Sequence, residues 1–158
     1  MRDLFVSSPA FLQSNAIAEL LNNTEWGFAV AECFHIVFFA VAIGTIMIVD
    51  LRLLGLAFPR TTSAKLHHDT WVYTLIGLAV TVLAGMALFL SDPRMYYFSP
   101  WFRFKAIALL LAILYNYTIH SKVASSTPSP RVGVVAGVIS VLLWISVVTG
   151  GLFTGLLA

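Results

Sequence analysis

Five side chains able to do acid–base or ligand chemistry lie inside otherwise apolar runs: Glu32, His35, Asp50, Lys105 and His120. Glu32 and His35 are three residues apart and share a helix face. Asp50 follows Glu32 by 18 residues, five whole turns, and returns to that face. Lys105 and His120 are 15 residues apart, the same separation as His35 and Asp50. Asn116, four residues before His120, falls on the same broad stripe. Two parallel helices with aligned entry points would then carry two polar layers ~22 Å apart. One layer holds Glu32, His35 and Lys105. The other holds Asp50, Asn116 and His120, with His67 or His68 within reach.

An imidazole and an amine facing one another between apolar walls suit haem b, which needs an axial nitrogen base and a second base for six-coordination. His35 is the leading axial candidate. Lys105 is open either as the opposing ligand, if deprotonated, or as a propionate partner, if charged. His120 is a second ligand candidate, paired with His67 or His68, so the expectation is one haem or two. The plainer alternatives are a buried His–Glu pair or a proton relay for His35, and solvated residues at the headgroup boundary for His120, His67 and His68. Glu32 and His35 also have the spacing of a di-iron motif, but such a site needs a second motif and two more carboxylates. Asp50 lies at the wrong end of the span. Copper would draw on Cys33, His35, Met47, Met86 and Met95. Cys33 faces ~200° away from His35 on a helix and is expected to be a small buried hydrophobe.

The elements that must position these groups are membrane spans. Of 158 residues, 59% are hydrophobic and 10% charged, against about 25% charged in a typical soluble domain. So few charges cannot cover a water-facing surface, and a net charge of +2 makes no basic patch for nucleic acid. One cysteine excludes an internal disulfide framework and a Cys-rich zinc site. Four runs reach the ~20 apolar residues that a bilayer core demands: about 28–50, 71–90, 101–120 and 132–157. Period-2 alternation is absent, which argues against a barrel. The expectation is one all-α domain, an integral membrane four-helix bundle.

Between the spans, 51–70 is charged and carries Pro59, and 91–100 is a short loop bracketed by Pro93 and Pro100. The segment 121–131, with two prolines, reads as a flexible turn. Tyr96, Tyr97 and Trp101 are expected as interface anchors. The N-terminus lacks the continuous apolar run of a signal peptide. Residues 9–21 instead read as a short interfacial helix, with Phe11, Ile17, Leu20 and Leu21 toward lipid and Gln13, Asn15 and Glu19 toward water. Both termini outside a bacterial inner membrane leaves five Lys/Arg inside and four outside, a slight preference for that topology. Small-residue rows at Gly77, Thr81 and Gly85, at Gly133 and Gly137, and at Gly151 and Gly155 suggest close helix packing, within the chain or between copies in a homo-oligomer. Such a face can also admit a flat macrocycle.

The runs Glu32-Cys-Phe-His35, Asp50-Leu-Arg52-Leu-Leu-Gly55, Gly85-Met-Ala-Leu-Phe89 and Tyr97-Phe-Ser-Pro-Trp-Phe-Arg-Phe-Lys105, with Asn116 and His120, resemble a family of small bacterial four-span membrane proteins without an assigned function. More distantly, the layout is similar to the HemJ-type protoporphyrinogen oxidases and the CopD-type copper-resistance membrane proteins. The HemJ resemblance implies haem b and activity at His35 and Lys105. The C-terminal motifs expected of that type are absent from Val132–Ala158. The leading expectation is a membrane haem b protein in electron transfer with a quinone or protein partner. The alternatives are an assembly subunit with a Glu32–Lys105 ion pair, a HemJ-like porphyrinogen oxidase, and a copper or proton transporter.

Overall fold

The computed structural model describes residues 16–157. Within them the chain is helical, without strands, and folds as a four-helix bundle. A short helix α1 (Ala16–Asn23) precedes α2 (Gly27–Leu53) and α3 (Ser63–Ser91). Next come the short α4 (Pro93–Phe98) and α5 (Pro100–Tyr115). A π-helical turn (Asn116–His120) continues α5 into α6 (Ser121–Ser125), and α7 (Pro130–Leu157) closes the chain. Four helical units are long and apolar enough to cross a membrane: α2, α3, α5 through α6, and α7. At ~1.5 Å per residue each exceeds the ~30 Å hydrocarbon core.

Helix boundaries follow local chemistry. The Thr62 hydroxyl caps α3 by accepting from the Lys65 amide. That cap starts the helix eight residues before the expected span and puts His67, His68 and Asp69 on helix rather than loop. Asp92 caps α4 and Ser99 caps α5, each followed by a proline at the first helical position. The expected loop at 91–100 is therefore largely helical. The expected flexible turn at 121–131 shrinks too, because α6 carries the helix on to Ser125 and Pro130 starts α7. Gly55, at φ 73°, makes the turn after α2.

The bundle pairs α2 with α3, α5 with α7, and α2 with α7. Its core joins Ala42, Ile46, Leu78, Ala108, Ala112, Trp144 and Val147. Small residues let the backbones close in. A Cβ on Gly77 would stand 2.9 Å from the Phe38 carbonyl oxygen and 3.0 Å from the Ala42 Cβ, so this part of the small-residue row is helix packing. Large apolar side chains cover the outside, among them Phe34, Val37, Leu83, Ile107, Leu142 and Leu152, as lipid requires.

Helix α1 packs on α3 and α2, and Asn22 donates to the Ser91 carbonyl at 3.0 Å. Ile17 and Leu20 are exposed and Leu21 is buried. Leu21 therefore faces the bundle rather than lipid. Residues 9–15 of the expected interfacial helix, with Phe11, Gln13 and Asn15, lie outside the described residues.

Candidate functional site

The two expected polar layers meet across α2 and the third spanning unit. In the first, Lys105 Nζ lies 3.4 Å from His35 Nε2. In the second, His120 Nε2 lies 2.6 Å from Asp50 Oδ1. Equal spacing on two parallel helices has brought both pairs into register.

The His35 ring is fixed from both sides. Its Nδ1 is 2.9 Å from the backbone carbonyl of Thr81 on α3. A carbonyl only accepts, so Nδ1 carries the hydrogen and Nε2 keeps its lone pair. Gly85 makes this seat. A Cβ there would stand 2.9 Å from His35 Cε1 and 3.1 Å from Nδ1. Gly85 thus serves an imidazole, where the small-residue row suggested helix packing. On the other side Lys105 runs over α7. A Cβ on Gly150 would meet its Cα and Cβ at 3.0 Å, and one on Gly151 would lie 3.7 Å from its Nζ.

His35 and Lys105 open into a cavity of about 540 Å³ at the α4 end of the bundle, within the ~300–1,000 Å³ of small-molecule sites. Its apolar walls include Phe39, Leu88, Phe89, Phe102, Val147 and Leu152, and Glu32 stands on its rim. Gly85, Gly151 and Gly155 line it as well. No Cβ on Gly155 would meet another atom within 4 Å. Tyr96, expected as a membrane anchor, lines this cavity and lies against Phe89 and Phe102 at 6.3 and 5.4 Å between ring centres. Its hydroxyl is pushed above the usual 10.0 by burial first, then by the charges of Glu32 and Asp92. It therefore stays a neutral O–H donor. Tyr97 is exposed and Trp101 stacks on Phe153 at 4.5 Å, as residues near a membrane boundary can.

The donors at this cavity are one imidazole and one amine. Among the described residues no three His, Cys, Asp or Glu side chains converge as metal ligands. Haem needs one or two protein bases, and an imidazole anchored through Nδ1–H, with Nε2 facing the Lys105 amine beside the cavity, could serve as one when that amine moves aside. Of the copper candidates, only His35 and Met95 line the cavity. Cys33 is exposed, which corrects the expectation of a buried hydrophobe. With His35 turned inward, a residue ~200° away faces lipid.

The remaining expected residues lie elsewhere. Asp50 and His120 are buried, and Ser140 Oγ donates to Asp50 Oδ2 at 2.8 Å. None of these three lines the cavity. Asn116 is buried one turn before His120, at the start of the π turn. His67 Nε2 is bonded to Ser121 Oγ at 3.0 Å rather than to His120. His68 is 84% exposed beside Asp69 and joins neither layer. Among the described residues, Glu32 and Lys105 form no ion pair, and the Lys105 amine lies against His35 instead. Ser140 and the Thr81 carbonyl carry no site signature in the sequence, and Tyr96 stands out there only as a membrane anchor; Ser140 is one of several hydroxyls in the uncharged fourth span, with Ser146, Thr149 and Thr154.

No curated protein and no solved structure matches the chain. Residues 23–157 match a family of unknown function, DUF6644, and the chain belongs to that family.

Proposed function

We propose that this protein binds one haem b in the His35 cavity and transfers electrons within the membrane, with a quinone or protein partner. The observation that carries this reading is the 2.9 Å contact from His35 Nδ1 to the Thr81 carbonyl. It fixes the tautomer that offers Nε2 as a ligand before any iron arrives. A bound haem b supplies a one-electron ferric–ferrous couple. His35 would hold the iron, and Lys105 would either oppose it or hold a propionate. Phe39, Phe89 and Phe102 would exclude water from the macrocycle. The reading takes one haem rather than two, because Asp50 already engages His120 Nε2. The resemblance of His35 and Lys105 to HemJ-type positions supports haem at this site. The slight excess of Lys/Arg on one side, five against four, supports an orientation with the α4 end outside and the α6 end inside a bacterial inner membrane.

Haem titrated into protein made without haem tests this stoichiometry. Saturation at one haem per chain is expected. No binding, or two equivalents, overturns the proposal.

A further inference from the structure

The second polar layer lies apart from the cavity and has no part in the haem reading. Asp50, His120 and Ser140 are 0%, 1% and 0% exposed. Both Asp50 oxygens are engaged, one by His120 and one by Ser140. His120 Nε2 supplies the hydrogen to the carboxylate. The other ring nitrogen, Nδ1, is buried without a hydrogen-bond partner. Buried polar atoms in this state are uncommon and call for an explanation. An imidazole with one nitrogen anchored on a carboxylate and the other free is the arrangement in which histidine takes up and releases a proton, because the carboxylate orients the ring and stabilises the imidazolium.

The backbone around it is irregular. The Ser121 amide bonds to the Asn116 carbonyl, closing a π turn that ends on His120. No glycine or proline lies in this turn to force the irregularity. Such turns are frequent at functional sites. The residue after His120 leads outward. Ser121 Oγ is 3.0 Å from Nε2 of half-buried His67, in the second turn of α3, and exposed His68 and Asp69 follow. The titratable groups facing the cluster are Asp50 from α2, His67 from α3 and Tyr115 from α5. Tyr115 donates its hydroxyl to the Ala136 carbonyl at 3.0 Å. From α7 the contact is the uncharged Ser140.

We propose that Asp50, His120 and Ser140 form a proton-exchange site, with His120 Nδ1 as the atom that gains and loses the proton, and with the neighbouring Ser121–His67 pair bridging to Nδ1 through a water on the side toward the membrane surface at the α6 end. On uptake, a proton from water forms the Nδ1–H bond, and imidazole becomes imidazolium. Asp50 stays a carboxylate, Nε2–H stays on it, and the Ser140 hydrogen does not move. The cluster changes from one negative charge to none.

Imidazole 15N resonances of the full chain in lipid nanodiscs, followed from pH ~5 to ~9, test this. The four histidines are assigned by single His→Gln variants. The His120 Nδ1 resonance should titrate by one proton while Nε2 stays protonated. Ser140→Ala removes a donor from the carboxylate, strengthens its hold on the imidazolium, and should move the midpoint to higher pH. Asp50→Asn should move it to lower pH by more than ~1 unit, tenfold in proton affinity. His67→Gln should slow proton exchange at His120 and leave the midpoint in place. A His120 Nδ1 resonance constant across the range overturns the proposal. So does a midpoint that Ser140→Ala, the mildest of these changes, leaves unmoved.

Discussion

Gly85→Ala separates a seated imidazole from a merely packed helix. The new Cβ would lie 2.9 Å from His35 Cε1, about 0.6 Å inside the ~3.5 Å of ordinary carbon contact. The imidazole must retreat by that amount, since the Cβ is rigidly attached to α3. Its 2.9 Å bond to the Thr81 carbonyl then stretches to about 3.5 Å, beyond the ~3.2 Å limit of a good N–H···O bond. The lost bond costs about 0.5–1.5 kcal/mol. Alanine recovers up to ~1 kcal/mol of helix propensity relative to glycine. Folding stability should therefore change by less than ~1 kcal/mol, from the balance of those two effects. Ligand affinity should change much more, because losing the outer partner of a ligating histidine costs ~10–100-fold. Haem titration and thermal unfolding of the same preparations check both parts. Gly44→Ala, where a Cβ meets nothing within 4 Å, is the matched control. Wild-type haem affinity in Gly85→Ala, or equal losses in the two variants, would show that Gly85 does not seat the imidazole.

Gly77→Ala should lower the unfolding temperature in detergent by an amount equivalent to ~1–3 kcal/mol of overpacking, because its Cβ strikes the Phe38 carbonyl. Asp50→Ala leaves the His120 and Ser140 hydrogens without their acceptor, and denaturant unfolding should show a loss of ~1–3 kcal/mol for each stranded donor. Ser140→Ala removes one hydrogen bond to the Asp50 carboxylate and should cost ~1.5–3 kcal/mol in the same assay. Cys33, exposed on the first apolar helix, should stay unlabelled by a membrane-impermeant charged maleimide in intact membranes and be labelled once the protein is denatured.

The fold was legible because long apolar runs have few solutions in lipid. The two polar layers were legible for a simpler reason. Equal spacings, His35 to Asp50 and Lys105 to His120, repeat on helices that run the same way. What the sequence concealed was backbone. Neither the Thr81 carbonyl that seats His35 nor the π turn at Asn116–His120 has a residue signature. Gly85 was visible as a small residue, but its partner was not. It admits an imidazole, whereas Gly77 admits a helix backbone. The loops were read as too long because Thr62, Asp92 and Ser99 act as caps. Their hydroxyl and carboxylate groups start helices that hydropathy alone begins later.

Haem binding at His35 is decided by the visible absorption spectrum of protein purified from haem-replete cells. A Soret band and a reduced α-band are expected in the wild type and in His68→Ala. Their loss is expected in His35→Ala. A colourless wild-type protein, or a spectrum that His35→Ala leaves unchanged, would contradict haem binding at His35.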